Sequence, residues 1–270
     1  CLWNTSFFKG GKNMLKSLIS AFAMYSRIPV PKIEWNEGNH RYSLCFFSVI
    51  GLVIGICEYL WGAFCLYFQV GTLLYSVISV AVPVIITGGI HLDGFCDVLD
   101  AKYSYAEREK KLEIMKDSRV GAFALIGLAL YFIVQCGLFS EISSESSFLS
   151  VTVIFIISRA LSGIGAVTLK CAKKSGTLQS FSEPADRKIT LVVLISVYII
   201  CSALLIFADT LCGIVTTVVS VLVFLYYRRF SYKTFGGITG DLAGYFLQIC
   251  EISMLGAIVL CDIFERGVCC

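Results

Sequence analysis

Seven long apolar runs constrain the fold of this chain more than any other feature of its sequence. Each is close to the roughly 20 residues that an α-helix needs to cross the hydrocarbon core of a bilayer. In lipid, the N–H and C=O groups of a spanning segment must be paired internally, and an α-helix meets this requirement. The sequence therefore predicts an all-α, polytopic integral membrane bundle with about seven transmembrane helices plus an N-terminal amphipathic helix. The predicted spans cover residues 44–68, 71–90, 120–139, 148–169, 189–207, 211–227 and 240–262.

Composition agrees with a membrane protein. Hydrophobic residues make up 57% of the chain and charged residues only 15%, with a mean hydropathy of +0.81, whereas an average soluble domain carries about 25% charged residues. The net charge of +3 gives no reason to expect a nucleic-acid partner. The 13 cysteines are scattered, mostly inside the apolar runs and without zinc-type spacing. We interpret them as small hydrophobic residues of a reducing cell.

Positive charges alternate between the connections that join the predicted spans. Lys and Arg are abundant in the second, fourth and sixth connections and absent from residues 69–70, 140–147 and 208–210. Because Lys and Arg accumulate in cytoplasmic loops, we expect the N-terminus and the even-numbered connections to lie in the cytoplasm. All of the polar motifs described below fall on that face.

The N-terminal segment is predicted to consist of two parts. Residues 1–13 precede the first methionine and are expected to be a non-native or upstream extension. This leaves residues 14–270 as a single membrane domain. Residues 14–26 alternate apolar and small polar residues, a pattern typical of an interfacial amphipathic helix, and Pro29 and Pro31 end it.

The polar segment after the second run carries three regularly spaced carboxylates. Asp93, Asp97 and Asp100 lie at i, i+4 and i+7, which places them on one stripe of a helix. Such carboxylates repel one another, and a hard divalent cation with oxygen ligands relieves the repulsion. The sequence therefore predicts a metal-phosphate site at a membrane surface. The adjacent Gly88-Gly89 pair predicts a loosened backbone, and for His91 a structural role and a role in proton transfer or phosphate contact are given equal weight.

Four further charged residues are candidates for the same site. Asp117 and Arg119 lie where the chain turns back into an apolar run, where ionisable groups are expensive and tend to be functional. Arg159 lies inside the fourth run, so we expect it to face a carboxylate or a phosphate, with a structural ion pair to one of the aspartates as the alternative. Arg27, next to the first proline, could present a cation to phosphates at the same face.

The last cytoplasmic connection contains the glycine-rich sequence GGITGD. Gly237, Thr239 and Gly240 belong to a turn that opens a helix, and such turns expose backbone N–H groups that can hold a phosphate. Asp241 could add an oxygen ligand to the cation. Glycine clusters in membrane helices are usually packing devices, so this motif gains weight from the aspartate stripe on the same face.

Four stretches of the chain resemble those of the cobalamin synthase family, the adenosylcobinamide-GDP ribazoletransferases. They are FAMYSRIPVP, GGIHLDGFCDVLDA, EIMKDSRVGAFA and GGITGDLAGYFLQICE. The resemblance extends over nearly all of the chain from Met14, in the motif order of the family, with Ala124 as a departure where glycine is expected.

The resemblance implies a late step of cobalamin biosynthesis. A hydroxyl of α-ribazole or of its 5′-phosphate would attack the cobinamide-linked phosphorus of adenosylcobinamide-GDP, giving adenosylcobalamin or its phosphate and GMP. Mg²⁺ is the expected cofactor. It also implies the inner membrane of a prokaryotic cell, an active site on the cytoplasmic face, contact with the lipid bilayer, and association with a second copy of the chain and with other cobalamin-assembly enzymes.

On this reading, the candidate site residues take three roles. The catalytic set is Asp93, Asp97, His91, Asp117 and Arg119. The substrate-binding set is Arg27, Arg159, Gly237, Thr239 and Gly240. The metal ligands are Asp93, Asp97, Asp100 and Asp241.

Two rival classes remain open on the residues alone. The aspartate stripe partly resembles those of CDP-alcohol phosphotransferases and UbiA-type prenyltransferases, but the DGxxAR spacing of the former and a second aspartate-rich motif of the latter are missing. A cation- or proton-coupled transporter could also use carboxylates. It would place them near mid-bilayer, whereas these lie at the edges of the predicted spans.

Overall fold

The computed structural model describes residues 4–32, 40–117, 119–142, 144–172 and 185–268. Much of the basic connection 170–188, including Lys173 and Lys174, lies outside the described residues. Ten α-helices occur in the described ranges. They are α1 (Asn4–Tyr25), α2 (Phe47–Tyr67), α3 (Thr72–Thr87), α4 (Ile90–Tyr103), α5 (Arg108–Ile114), α6 (Ala122–Glu141), α7 (Glu145–Thr168), α8 (Arg187–Ala208), α9 (Thr210–Phe235) and α10 (Gly240–Val268).

The helical, multi-pass architecture predicted from the apolar runs is confirmed. Six of the seven predicted spans correspond to helices long and apolar enough to cross a membrane, namely α2 and α6 to α10. The remaining one, predicted over residues 71–90, is interrupted. Helix α3 ends at Thr87 and turns by 96° into α4, so a count of seven spans depends on treating this bent pair as one.

Helix α7 is the centre of the bundle. In its most apolar stretch 83% of the residues are buried, against 22% for α6 and α8, which are peripheral. Gly51 and Gly55 of the neighbouring α2 allow the two helices to pack closely, because both glycines face the backbone of α7. The Thr152 hydroxyl also donates to the carbonyl of Gly55 at 2.9 Å, which ties the two helices together.

The break between α3 and α4 is formed by the two glycines that were expected to loosen the backbone. Gly88 and Gly89 adopt left-handed conformations with φ of 65° and 76°, which favour glycine over other residues. The break turns α4 across the end of the bundle. The aspartate-bearing helix α4 therefore does not continue the membrane span of α3.

Helix α1 packs across the same end of the bundle. It begins at Asn4, so it extends beyond the predicted 14–26 helix. The hydroxyl of Ser20 hydrogen-bonds His40 at 2.5 Å, and the rings of Tyr25 and Phe47 lie 4.4 Å apart. Whether residues 1–13 are native stays a prediction.

We expect Gly55→Ala to destabilise the bundle. An added Cβ at Gly55 would lie 2.7 Å from Thr152 Cγ2 and 2.9 Å from its Cα, and overpacking of this kind costs about 1–3 kcal/mol. The matched control is Gly137→Ala on α6, where an added Cβ meets nothing within 4 Å; it should be neutral or stabilise by up to about 1 kcal/mol. The measurement is the unfolding midpoint in detergent, and equal midpoints would contradict the packing described here.

Candidate active site

Two glycines allow α4 and α10 to cross in contact. A Cβ added at Gly94 of α4 would lie 2.8 Å from Cα of Asp241, and one added at Gly244 of α10 would lie 2.8 Å from the carbonyl oxygen of His91. Since neither position has room for a side chain, the backbones of the two helices touch. The crossing brings the first turn of α10 alongside the aspartate stripe of α4.

Three of the four predicted metal ligands meet at this crossing. The Asp97 carboxylate interacts electrostatically with those of Asp93, Asp241 and Asp100, as the helical spacing predicted. Asp93 and Asp241 also line a common cavity. Within the described ranges, no group of three or more His, Cys, Asp or Glu side chains is close enough to enclose a metal ion by itself.

Asp93 stands between two cavities. The first, which we call the α7 cavity, has a volume of about 350 Å³ and lies between α1, α4, α7 and α10. The second, the Gly-Gly cavity, has a volume of about 600 Å³ and is lined by the α3–α4 break, Arg27 and residues of α4 and α6. Ala23, Met24 and Ile90 line both cavities with Asp93, so α1 covers the pair.

Arg27 is placed by the α3–α4 break. Its backbone N–H donates to the carbonyl of Ile86 at 2.8 Å, and its side chain lies across Gly88, where a Cβ would collide with it. None of the ion pairs formed among the described residues involves Arg27. Arg27, the cation predicted to face phosphates, therefore lies at the Gly-Gly cavity, which Asp93 also lines.

Asp100 has a structural role that the spacing did not predict. Its two carboxylate oxygens accept the N–H groups of Gly121 at 2.7 Å and Ala124 at 2.9 Å, at the start of α6. The first N–H groups of a helix have no acceptor within that helix, and the Asp100 carboxylate of α4 supplies acceptors for two N–H groups at the start of α6. The carboxylate joins α4 to α6, and it is the member of the stripe least available to a cation.

Asp117 and Arg119 form an exposed ion pair in the loop before α6, with an Nη2–Oδ2 distance of 2.6 Å. Hydrogen bonds from Arg119 lower the pKa of Asp117 to about 2. A carboxylate with so low a pKa remains ionised near neutral pH and is a poor proton acceptor. The pair lies beside Gly121, at the end of α4 away from Asp93, and lines neither cavity.

Arg159 lies beneath the site and is 1% exposed. The structure confirms a carboxylate partner, but the partner is Glu251 of α10 and not one of the aspartates. The hydroxyl of Ser158 also donates to Glu251 at 2.9 Å. Isolated burial of either charge would be costly, so the pair locks α7 to α10. Its predicted contact with substrate stays a prediction.

His91 lies between the site and this ion pair. Its side chain is 6% exposed, its ring packs edge-on against Phe47 with centroids 5.8 Å apart, and its Nε2 has no hydrogen-bond partner in the described structure. It borders the α7 cavity as well as the small polar gap around Arg159 and Glu251.

The glycine-rich turn is only partly available to a ligand. The N–H of Gly237 donates to the carbonyl of Ser231 at 3.2 Å, so the prediction that it is free for a phosphate is wrong. Thr239 instead caps α10, its hydroxyl accepting the N–H of Leu242 at 3.2 Å. Gly240 borders the α7 cavity with open space where a Cβ would be.

Sequence reasoning missed the residues that shape the α7 cavity. Ser162, Gly163 and Ala166 of α7 line it. Their small size in an otherwise bulky apolar helix is the signal that could have identified them. Glu251 lies deeper in the last span, and nothing in the sequence spacing indicated that it pairs with Arg159.

Comparisons with known proteins give one consistent result. A family model described as cobalamin-5-phosphate synthase matches residues 17–259. The adenosylcobinamide-GDP ribazoletransferase of Lachnoclostridium phytofermentans is 41% identical over 92% of this chain and 95% of its own length. Proteins of the same name from Clostridium botulinum and a Geobacillus strain are 32% and 34% identical over 89% and 82% of this chain, and 96% and 86% of their own lengths. No solved structure matches.

The capping role of Asp100 predicts a difference between two substitutions. Asp100→Ala removes both acceptors from the start of α6 and should lower the free energy of unfolding by about 0.5–2 kcal/mol. Asp100→Asn keeps one acceptor oxygen and should lose less. As the control, Asp93→Ala should be neutral or stabilising, since it removes a repelling carboxylate. The measurement is chemical unfolding in detergent; equal stability of both Asp100 variants and wild type would contradict the capping role.

Proposed function

We propose that this chain, which belongs to the cobalamin-5-phosphate synthase family, transfers the adenosylcobinamide phosphate group of adenosylcobinamide-GDP to α-ribazole or its 5′-phosphate and releases GMP. This is the late nucleotide-loop assembly step of cobalamin biosynthesis. The observation that carries the proposal is the position of Asp93, which borders both cavities. Asp241 lines the α7 cavity with it, and the carboxylate of Asp97 interacts electrostatically with both.

Two cavities that share a carboxylate-bearing wall suit a reaction between two substrates. In the transfer, a ribose hydroxyl oxygen bonds to the cobinamide-linked phosphorus, the bond from that phosphorus to the GMP oxygen breaks, and the hydroxyl proton passes to a base. Displacement at phosphorus asks a protein mainly to position the reactants and to neutralise charge. The charged groups at the α4–α10 crossing can do both.

We assign Mg²⁺ to the carboxylates of Asp93, Asp97 and Asp241, of which one or two would hold the ion. Mg²⁺ is commonly held by one or two carboxylates together with substrate phosphates and water, without a complete protein cage. Carboxylates that converge without enclosing a metal ion fit this kind of site. When bound, the ion would neutralise charge on the pyrophosphate. Asp100, committed to capping α6, would hold the stripe in place.

The cationic and dipolar groups around the aspartates bind the phosphates. Arg27 lines the Gly-Gly cavity, where its guanidinium can donate to phosphate oxygens. Gly240 and the cap residue Thr239 place the positive end of the α10 dipole at the α7 cavity. Arg119 pairs with Asp117 in the loop before α6, and neither residue lines a cavity. We therefore assign this pair a structural role in that loop.

The proton of the attacking hydroxyl requires an acceptor at the α7 cavity. Asp117 is paired with Arg119 and lines neither cavity, so it is not in place to accept this proton. The acceptor is an aspartate of the crossing that is not holding the cation, or His91, whose ring borders the cavity.

The active site faces the cytoplasm of a prokaryotic cell in its inner membrane. Three observations support this orientation: the basic connections lie on the side of α4 and the start of α10, the intervening connections carry no Lys or Arg, and both substrates are hydrophilic. Self-association and association with other cobalamin-assembly enzymes stay predictions.

The first test is turnover of adenosylcobinamide-GDP with α-ribazole by purified protein in lipid, following GMP and the cobalamin product with and without Mg²⁺. Wild type should form both products in equal amounts and only with Mg²⁺. Asp93→Asn and Asp97→Asn should each lose roughly 100-fold or more, because neutralising phosphoryl charge contributes several kcal/mol to such reactions.

The matched control is Asp209→Asn. Asp209 caps α9 at the opposite end of the bundle, accepting the N–H of Cys212 at 2.9 Å, and Asn caps helices as well as Asp. This variant should keep wild-type turnover. A well-folded wild type that forms neither product would refute the transfer reaction, and full activity of both site variants would refute the site.

A further inference from the structure

We infer that the α7 cavity binds the aromatic base of the α-ribazole acceptor, while the Gly-Gly cavity binds the phosphate-bearing part of the donor. The inference rests on the proposed function and adds to it the division of the two substrates between the two cavities. It makes Ala166 a specificity-determining residue.

The α7 cavity has the size and lining of a site for a flat apolar group. Its volume of about 350 Å³ lies at the lower end of the range typical of small-molecule sites. Leu44, Phe47, Ala166 and Leu247 form apolar walls, and all four are buried. The polar groups of His91, Asp93 and Asp241 also border the cavity, but most of its lining is apolar, and such a lining favours a ligand with few polar atoms.

The base of α-ribazole meets that requirement better than the guanine of the donor does. Dimethylbenzimidazole is a flat bicycle with two methyl groups and few polar atoms. Guanine carries donors and acceptors around its edge, and against Leu44, Phe47 and Ala166 most of them would be left unpaired at a cost of about 1–3 kcal/mol each. The carboxylates of Asp93 and Asp241 are required at the phosphates instead.

The Gly-Gly cavity has the opposite character. It is larger, at about 600 Å³, and is bordered by Gly88, Gly89 and Arg27, whose side chain lies across Gly88. None of the ion pairs among the described residues involves Arg27, and an arginine in this position suits a phosphate-rich ligand. The donor, whose corrinoid is far too large for either cavity, can place its pyrophosphate there and leave the rest outside.

The shared wall then sets the reaction geometry. With the base among the apolar residues of α7, the ribose of the acceptor lies towards Asp93 and Asp241, at the boundary with the Gly-Gly cavity. Its hydroxyl therefore approaches the phosphorus from the α7 side, and GMP leaves on the other side. Ala23 and Met24 of α1 border both cavities at this junction.

The test is a comparison of KM values for the two substrates. Ala166→Leu should raise KM for α-ribazole about tenfold or more, since a change of a methylene or methyl in an apolar pocket alters specificity by about 10–200-fold. KM for adenosylcobinamide-GDP should stay within about twofold. The same variant should tolerate an acceptor whose benzimidazole lacks both methyl groups better than it tolerates α-ribazole, whereas wild type should prefer the methylated base.

Two control variants separate cavity filling from general damage. Leu128→Phe, in the Gly-Gly cavity, should raise KM for the donor and not for the acceptor. Ala257→Leu places the same extra volume at a buried site of α10 that borders neither cavity, and should change stability without shifting either KM selectively. If Ala166→Leu does not fold, Ala166→Val and the wild-type preference between the two bases give the same readout.

The outcomes are distinguishable from failure of the proposed function. Absence of GMP and cobalamin with wild type would refute the reaction itself. An active wild type in which Ala166→Leu raises KM for the donor would place the donor in the α7 cavity and overturn the inference. So would unchanged KM values for both substrates, or a wild type that does not distinguish the methylated from the unmethylated base.

Discussion

The close crossing of α4 and α10 is the contact on which the rest of the site depends. Gly94 and Gly244 remove the side chains that would hold these helices apart, and the backbone of Asp241 then lies directly on α4. Helices that cross this closely bring two separate polar segments of the sequence to one point. The aspartates of α4 and α10 can act together only because of that approach, and the α7 cavity forms beside it.

Bringing carboxylates together costs free energy. Two of the nearby carboxylates are stabilised by hydrogen bonds or an ion pair. Asp100 is satisfied by the N–H groups of α6, and the deeper Glu251 is satisfied by Arg159. Both pairings also fix neighbouring helices to the crossing. The carboxylate of Asp97 still faces those of Asp93 and Asp241, and a bound cation would relieve this repulsion.

The sequence predicted the parts of the fold that depend on local pattern. Apolar length identified six unbroken spans, the Gly88-Gly89 pair indicated the backbone break, and the i, i+4, i+7 spacing placed the aspartates on one helical face. It could not predict contacts between distant segments. The capping of α6 by Asp100, the Arg159–Glu251 pair and the loss of Gly237 as an anion ligand all depend on which helices meet, and helical periodicity carries no such information.

The break at Gly88 and Gly89 explains how a membrane bundle can hold two hydrophilic substrates. Irregular backbone at a membrane is tolerated where protein or a water-filled cavity satisfies its polar groups, and here Arg27 and the Gly-Gly cavity adjoin it. The break also turns α4 by 96°, so that α4 packs against the first turn of α10 at Gly94 and Gly244. A straight continuation of α3 would carry Asp93 and Asp97 along the axis of α3 and away from Asp241. The same bend therefore opens the Gly-Gly cavity and brings the aspartates of α4 to the start of α10.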